Sequence, residues 1–273
     1  MGRLLRSDFM KMKSSRAFWV CCIVSLFLGA VMSVLYYVVW INMGESIEIT
    51  EQMLLGMGMP EETVSDTLSV VPRTNLWSYI NTCLADTNVV YIIAVLAGVL
   101  VASEYSMGTF RNTLSRGFSR TQVYLSKLVL CVVGTFITLF AYVSGGAITA
   151  AIMFGFGSDT EAGQMLLQLG AYICLFVAIA SFFLMIAVLS KKTGTTIALS
   201  IIIPIVVQSA VTLLSMAFKD FGQISRYWLF NTVMATQGLC RDGDAYVPFL
   251  VAGVYLILCF LIGMTVFRKQ EMK

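Results

Sequence analysis

The run AFWVCCIVSLFLGAVMSVLYYVVWINMG, residues 17–44, carries no charged side chain across 28 positions. A transmembrane helix needs about 20 mostly apolar residues, so this run crosses a bilayer with residues to spare. Outward from it, five more charge-free stretches follow at 87–103, 128–158, 162–190, 193–218 and 245–267. Only the first of these falls short of span length, and it reaches that length by recruiting polar neighbours. The composition agrees, with 58% hydrophobic residues, 12% charged residues and a mean hydropathy of +0.85 over 273 residues. A soluble domain carries about a quarter charged residues. The expected fold class is therefore an all-α polytopic membrane protein with six transmembrane helices.

The first span reads from about Ala17 to Ile41, behind the basic residues Arg3, Arg6, Lys11, Lys13 and Arg16. A basic start before an apolar run also suits a cleaved signal peptide, but this run is too long for a signal core and five spans follow it. The second span ends near Val101. Its apolar part, Val89–Val101, is short, so the helix is expected to take in the polar stretch with Asn81, Asp86 and Asn88. The third begins at Leu128 and is too long for one upright helix. Either Gly145-Gly146 bends it or its outer end projects from the bilayer. The fourth runs from Met165 to Leu189, the fifth from Thr196 to Ala217 with an expected kink at Pro204, and the sixth from Val247 to Phe267.

Lysine and arginine set the orientation, because they concentrate in cytoplasmic segments. With the N-terminus inside, segments 1–16, 103–127, 190–195 and 268–273 hold 14 of the 18 basic residues and three acids, Asp8, Glu104 and Glu271. The other 12 acids fall outside. Both termini are thus expected in the cytoplasm. Residues 1–16 place Leu5, Phe9 and Met12 near one helical face, which fits an amphipathic helix on the inner surface. A basic tail that only enforces topology is the alternative. The extracellular segment 42–76 is acidic, with a helix start expected at Met59-Pro60-Glu61-Glu62. Segment 218–246 carries Tyr227, Trp228 and Phe230, aromatics suited to the headgroup level or to short re-entrant helices sheltered by protein. One domain, 1–273, accounts for all of this, without internal repeats.

Several chemistries are excluded. No histidine occurs in the chain, which removes histidine-ligated metals and haem, histidine proton relays and the Ser-His-Asp and Cys-His nucleophilic arrangements. No G-x-x-x-x-G-K-[ST] phosphate loop is present. Spans one, three, four, five and six hold no ionisable acid or base, whereas ion-driven carriers usually keep such groups near the bilayer centre. Cys83 and Cys240 both fall outside, which leaves a disulfide between them open, and no C-x-x-C pattern exists.

The longest cytoplasmic loop, 103–127, carries the signature. Glu104 stands where span two leaves the membrane, Gly108 and Thr109 allow a bend or helix cap, and Arg111, Arg116 and Arg120 follow along a polar stretch. Ser119 is positioned to cap the next helix. The expected result is a rigid elbow showing a charged and aromatic tip, with Phe110 and Phe118, to the cytoplasm. A plain solvated loop would account for the arginines, but not for Glu104, the Gly-Thr pair and the phenylalanines.

Glu104, Gly108-Thr109, a following leucine, Ser119-Arg120 and Lys127 resemble the loop of ABC-2-type permeases, the membrane subunits of ABC exporters. That loop reads roughly E-x3-G-T…L…p-x-S-R…K, and Gly117-Phe118 stand here in place of the usual proline. The resemblance extends to the six spans, the inside termini and the basic start, and implies the type V exporter fold. It implies that residues 104–127 dock on a cytoplasmic ABC ATPase, which binds the ATP and Mg, while this chain is non-catalytic and binds no cofactor. It also implies a multi-pass protein of the bacterial cell membrane, similar to the permeases of bacitracin and lantibiotic export and immunity. The expected cargo is an amphipathic peptide, drug or lipid.

One six-span unit does not enclose a path, so a second permease is expected, either an identical copy or a homologue. Ala94, Gly98 and Ala102, at four-residue spacing, permit close helix approach, either between two copies or within one chain. Asn88, Ser181, Gln208 and Ser209 are candidate polar groups along the substrate path. No nucleic acid partner is expected. The reading from a different class is a membrane sensor or scaffold, whose outer segment binds a ligand and whose elbow recruits a cytoplasmic protein.

Overall fold

The computed structural model describes residues 2–56, 76–115, 117–154, 162–218, 225–238 and 245–270. The chain is helical throughout these residues. Helix α1 spans Gly2–Ser14, α2 Arg16–Gly56, α3 Leu76–Ala85 and α4 Thr87–Ala97. A π-helical turn, Gly98–Ala102, leads into α5 (Ser103–Ser106) and α6 (Thr109–Ser115). Then follow α7 (Arg120–Phe154), α8 (Ala162–Ser190), α9 (Thr193–Ala217), α10 (Leu229–Ala235), a 3-10 turn at Thr236–Gly238, and α11 (Val247–Lys269).

Among the described residues, six stretches are long and apolar enough to cross a membrane: 16–42, 87–106, 120–153, 162–190, 193–215 and 247–269. They coincide with the six spans expected from the charge-free runs. Helix α8 lies deepest, with Phe176, Ile179, Phe183 and Leu184 fully buried, and α11 packs along it. Helix α2 packs along α7, which also meets α3, α4 and α8. The faces turned away from these contacts stay apolar, as with Phe27 on α2, Ile202 and Leu213 on α9 and Leu261 on α11. A soluble monomer rarely exposes contiguous apolar surface on this scale, whereas lipid tails solvate it.

Three local expectations change. The second span does not take in its polar approach as one helix. The chain breaks at Asp86, whose extended backbone and side chain cap α4 by accepting from the Asn88 amide, so Asn81 falls on the separate helix α3. The Gly145-Gly146 pair does not break α7, which runs unbroken for 35 residues. At 1.5 Å per residue that is about 52 Å, well beyond a hydrocarbon core of about 30 Å. The glycine at 145 instead permits contact: a Cβ there would overlap the Leu26 carbonyl, and one on Gly29 would overlap the Tyr142 carbonyl. Helices α2 and α7 therefore cross backbone against backbone. Finally, α1 turns Leu4, Asp8 and Met12 inward, with Leu5 and Phe9 only half-buried. Its inner face is set by what α7 offers, not by hydrophobicity alone.

The cap expected at Ser119 forms. Ser119 caps α7 in a reciprocal box: its Oγ accepts from the Gln122 amide at 3.3 Å, and Gln122 Oε1 accepts from the Ser119 amide at 3.2 Å. Pro204 lies inside α9, which continues through it. Between α9 and α11, Leu229, Phe230 and Val233 of the short α10 are buried against protein. The expected helix start at 59–62 and Cys240 lie outside the described residues. Cys83 is a buried free thiol.

Candidate functional site

The end of the bundle that carries α1, the elbow 103–119 and the C-terminus of α11 is built around a buried ion set. Lys127, two turns into α7 and just before its charge-free run, is 3% exposed. Its Nζ lies 2.8 Å from Asp8 Oδ1 and 2.7 Å from Glu104 Oε2. Ser126 Oγ donates to Asp8 Oδ2 at 2.6 Å. Lys11, half-exposed, supplies the second cation, 3.3 Å from Glu104 Oε1 and 3.9 Å from Asp8 Oδ1. Two carboxylates thus meet two ammonium groups, which joins α1, α5 and α7 in one neutral set. Burying charge is tolerated when it is paired and hydrogen-bonded in this way.

A second clamp ties the elbow to the end of α11. Arg120 Nη1 lies 2.6 Å from the Arg268 carbonyl oxygen, 2.7 Å from that of Gln270 and 3.4 Å from that of Phe267. A guanidinium there meets carbonyls that a helix C-terminus leaves without intrahelical donors, and it complements the helix dipole. Tyr105 donates to Gln270 Oε1 at 3.3 Å, and Gln270 Nε2 donates to the Val188 carbonyl at the end of α8 at 2.9 Å. Ser106 and Thr193 hydroxyls, 3.2 Å apart, add the start of α9.

Between the clamps the elbow packs on aromatics. Phe110 is 2% exposed, its ring 4.4 Å from that of Tyr105 and 5.7 Å from that of Phe267, with Lys127 Nζ 5.7 Å from its centroid. The turn between α5 and α6 is made by Gly108 at φ 66°, a left-handed position natural to glycine after a helix end. Thr109 Oγ1 then donates to the Glu104 carbonyl at 3.2 Å. Gly117, at φ 85°, makes the second turn.

The structure therefore revises the expected elbow tip. Glu104, Phe110 and Lys127 face the protein interior, and Arg120 is committed to α11, because each finds a partner there that solvent would not match. Phe118 is half-buried and lines a cavity of about 450 Å³ shared with Arg3, Asp8, Lys11, Thr109 and Thr113. The side chain of Arg111 and all of Arg116 lie outside the described residues. What the corner does present outward is Met107, 67% exposed, beside Gly108. Asp8, Lys11, Tyr105, Met107 and Gln270 were not singled out from sequence. Asp8 had a signal, as the one acid in a basic segment placed at four-residue spacing between Leu4 and Met12.

Ala94, Gly98 and Ala102 are buried within the single chain, and a Cβ on Gly98 would meet the Ile197 side chain of α9. Their small size serves close packing inside this bundle. The candidate path residues are not brought together. Asn88 donates to Asp86 Oδ1, Ser181 is fully buried in α8, Gln208 is half-buried and Ser209 is exposed on α9. The larger grooves lie elsewhere. One of about 560 Å³, lined by Ile80, Leu84, Phe136, Phe140, Leu169 and Tyr172 among others, runs between α3, α7 and α8 and is almost wholly apolar.

Comparison with known proteins gives this architecture a family. The chain is 22% identical over 224 residues to the uncharacterized protein YhcI of Bacillus subtilis (strain 168), covering 72% of this chain and 69% of that one. Residues 49–272 match the model of a family described as "Protein of unknown function (DUF2705)". That match takes in the last five spans, the elbow, Lys127 and the Arg120 clamp on α11, but not Asp8 and Lys11 of α1, and the chain belongs to the DUF2705 family of membrane proteins.

Proposed function

We propose that this chain is the membrane-spanning permease subunit of an ATP-driven exporter, with residues 103–119 as the docking corner for a cytoplasmic ABC ATPase. The observation that carries the reading is the double clamp. A corner held by Lys127 to α7 and α1, and by Arg120, Tyr105 and Gln270 to α11 and α8, moves only with the spans. A loop that merely joins two helices needs no such fixing. The free energy of ATP binding in a partner then selects between two arrangements of the bundle.

The permease-type sequence pattern around Glu104, Gly108-Thr109, Ser119-Arg120 and Lys127 supports the same reading, as does the charge sorting expected to put this corner in the cytoplasm. ATP and Mg belong to the partner. A second permease, identical or homologous, completes the path, and the cargo is an amphipathic molecule taken from the membrane or the cytoplasm.

Met107 supplies the test, since it is exposed at the corner and takes no part in either clamp. Met107→Asp should leave folding and membrane insertion intact and abolish co-purification of the co-expressed ATPase. If the ATPase stays bound in full to that variant and to Met107→Arg, the corner is not the docking site.

A further inference from the structure

We infer that the pocket beneath the Asp86 break is a binding site for an organic ammonium group, the head of a cationic amphiphile. The reading starts from one carboxylate. Asp86 caps α4 through Oδ1, which accepts from the Asn88 amide and from Asn88 Nδ2, both at 2.9 Å. Oδ2 accepts a short hydrogen bond from the Tyr142 hydroxyl. Every one of these donors is neutral. Among the described residues Asp86 has no ion-pair partner, and α2 and α7 carry no charge at all where they face it.

Capping does not require that charge. Asparagine or serine caps a helix about as well as aspartate, so the cap position alone leaves the charge of Asp86 unexplained. Tyr142 stands 15 residues beyond Lys127 on α7, about 22 Å along the helix, so the two charged sites are separated by most of a hydrocarbon core.

The walls complete the case. Asp86 opens onto a cavity of about 220 Å³, shared with Tyr36, Tyr79, Tyr142, Met32 and Cys83. The rings of Tyr36 and Tyr79 stand 5.7 Å apart and tilted by 59°, forming two sides of a corner. Aromatic faces attract cations, and quaternary ammonium groups are recognised by aromatic walls of this kind. The volume is below the roughly 300–1,000 Å³ that encloses a drug-sized ligand, so the cavity takes a head group. The rest of the wall, Leu35 and Val39 of α2, suits the first carbons of an apolar tail. A negative centre, aromatic sides and an apolar exit together select an alkylammonium and reject an anion.

The site goes beyond the exporter reading and is tested on this chain alone, so failure here would leave the elbow assignment standing. Under that reading the ammonium amphiphile is the cargo class. Binding of radiolabelled dodecyltrimethylammonium to the purified full chain in maltoside detergent should saturate at one site per chain. On the wild-type protein, the neutral analogue with a tert-butyl head of the same shape should compete at least tenfold more weakly, and dodecyl sulfate should not compete. Asp86→Asn, which keeps the helix cap, should weaken binding at least tenfold. Tyr142→Phe, which keeps the ring, should retain it. Equal competition by the neutral analogue overturns the proposal without any variant, and so does unchanged affinity in a folded Asp86→Asn protein.

Discussion

Lys127 shows how a residue's role can depend on partners far away in sequence. Read in the chain, it is a basic residue at the cytoplasmic start of a span. In the fold it holds Asp8, 119 positions earlier, and Glu104 at the far side of the elbow. Breaking such a pair strands charge in a dry site and costs about 3–5 kcal/mol, whereas replacing a whole buried set with apolar groups of similar volume is often neutral. Lys127→Met should therefore lower stability in detergent by about that amount in chemical denaturation. Adding Asp8→Leu and Glu104→Leu should recover most of the loss. No recovery in the triple variant would mean that Lys127 acts through packing instead of charge. The elbow motif was legible in the sequence from Glu104, Gly108-Thr109, Ser119 and Lys127. Which of these residues face inward was not, because that depends on α1 and α11, which the motif does not include.

At the scale of elements, the spans were readable because charge is excluded from hydrocarbon, and the chain shows that exclusion as six long gaps. The breaks within and between helices were less so. Asp86 followed by Thr87 and Asn88 is a helix-start signal, yet the shortness of the apolar run beside it favoured a single long helix. Gly145 read as a bend because a glycine's neighbour across the interface is invisible from one chain position. The Leu26 backbone facing it explains it, and Gly29 facing Tyr142 does the same from the other helix, so that α2 and α7 cross at backbone contact. Gly29→Ala and Gly145→Ala should each push these helices apart and lower the unfolding free energy by about 1–3 kcal/mol, the usual cost of overpacking. Gly163→Ala on α8, where nothing lies within 4 Å, should leave thermal unfolding unchanged. Equal effects at all three positions would remove the crossing as the cause.

For the whole molecule, the two ends are built differently. The basic end joins α1, the elbow and the ends of α7, α8, α9 and α11 through ion pairs and hydrogen bonds. The other end ties α3 to α8 and to the 3-10 turn after α10 through a smaller polar set, with Asn81 Nδ2 donating to Gln168 Oε1 at 3.0 Å and Gln168 Nε2 donating to the Gln237 carbonyl at 3.4 Å. Long unbroken helices, α7 above all, connect the two ends. In the proposed permease, these helices are the route by which a push at the elbow would reach α3 and the Asp86 break. Hydrogen–deuterium exchange on the chain assembled with the proposed ATPase tests this most directly, comparing the nucleotide-free and ATP-trapped states. The account predicts that trapping ATP changes exchange at Leu76–Ala85, at the far end from the proposed docking corner. A change confined to α1 and the elbow, with Leu76–Ala85 exchanging alike in both states, would contradict it.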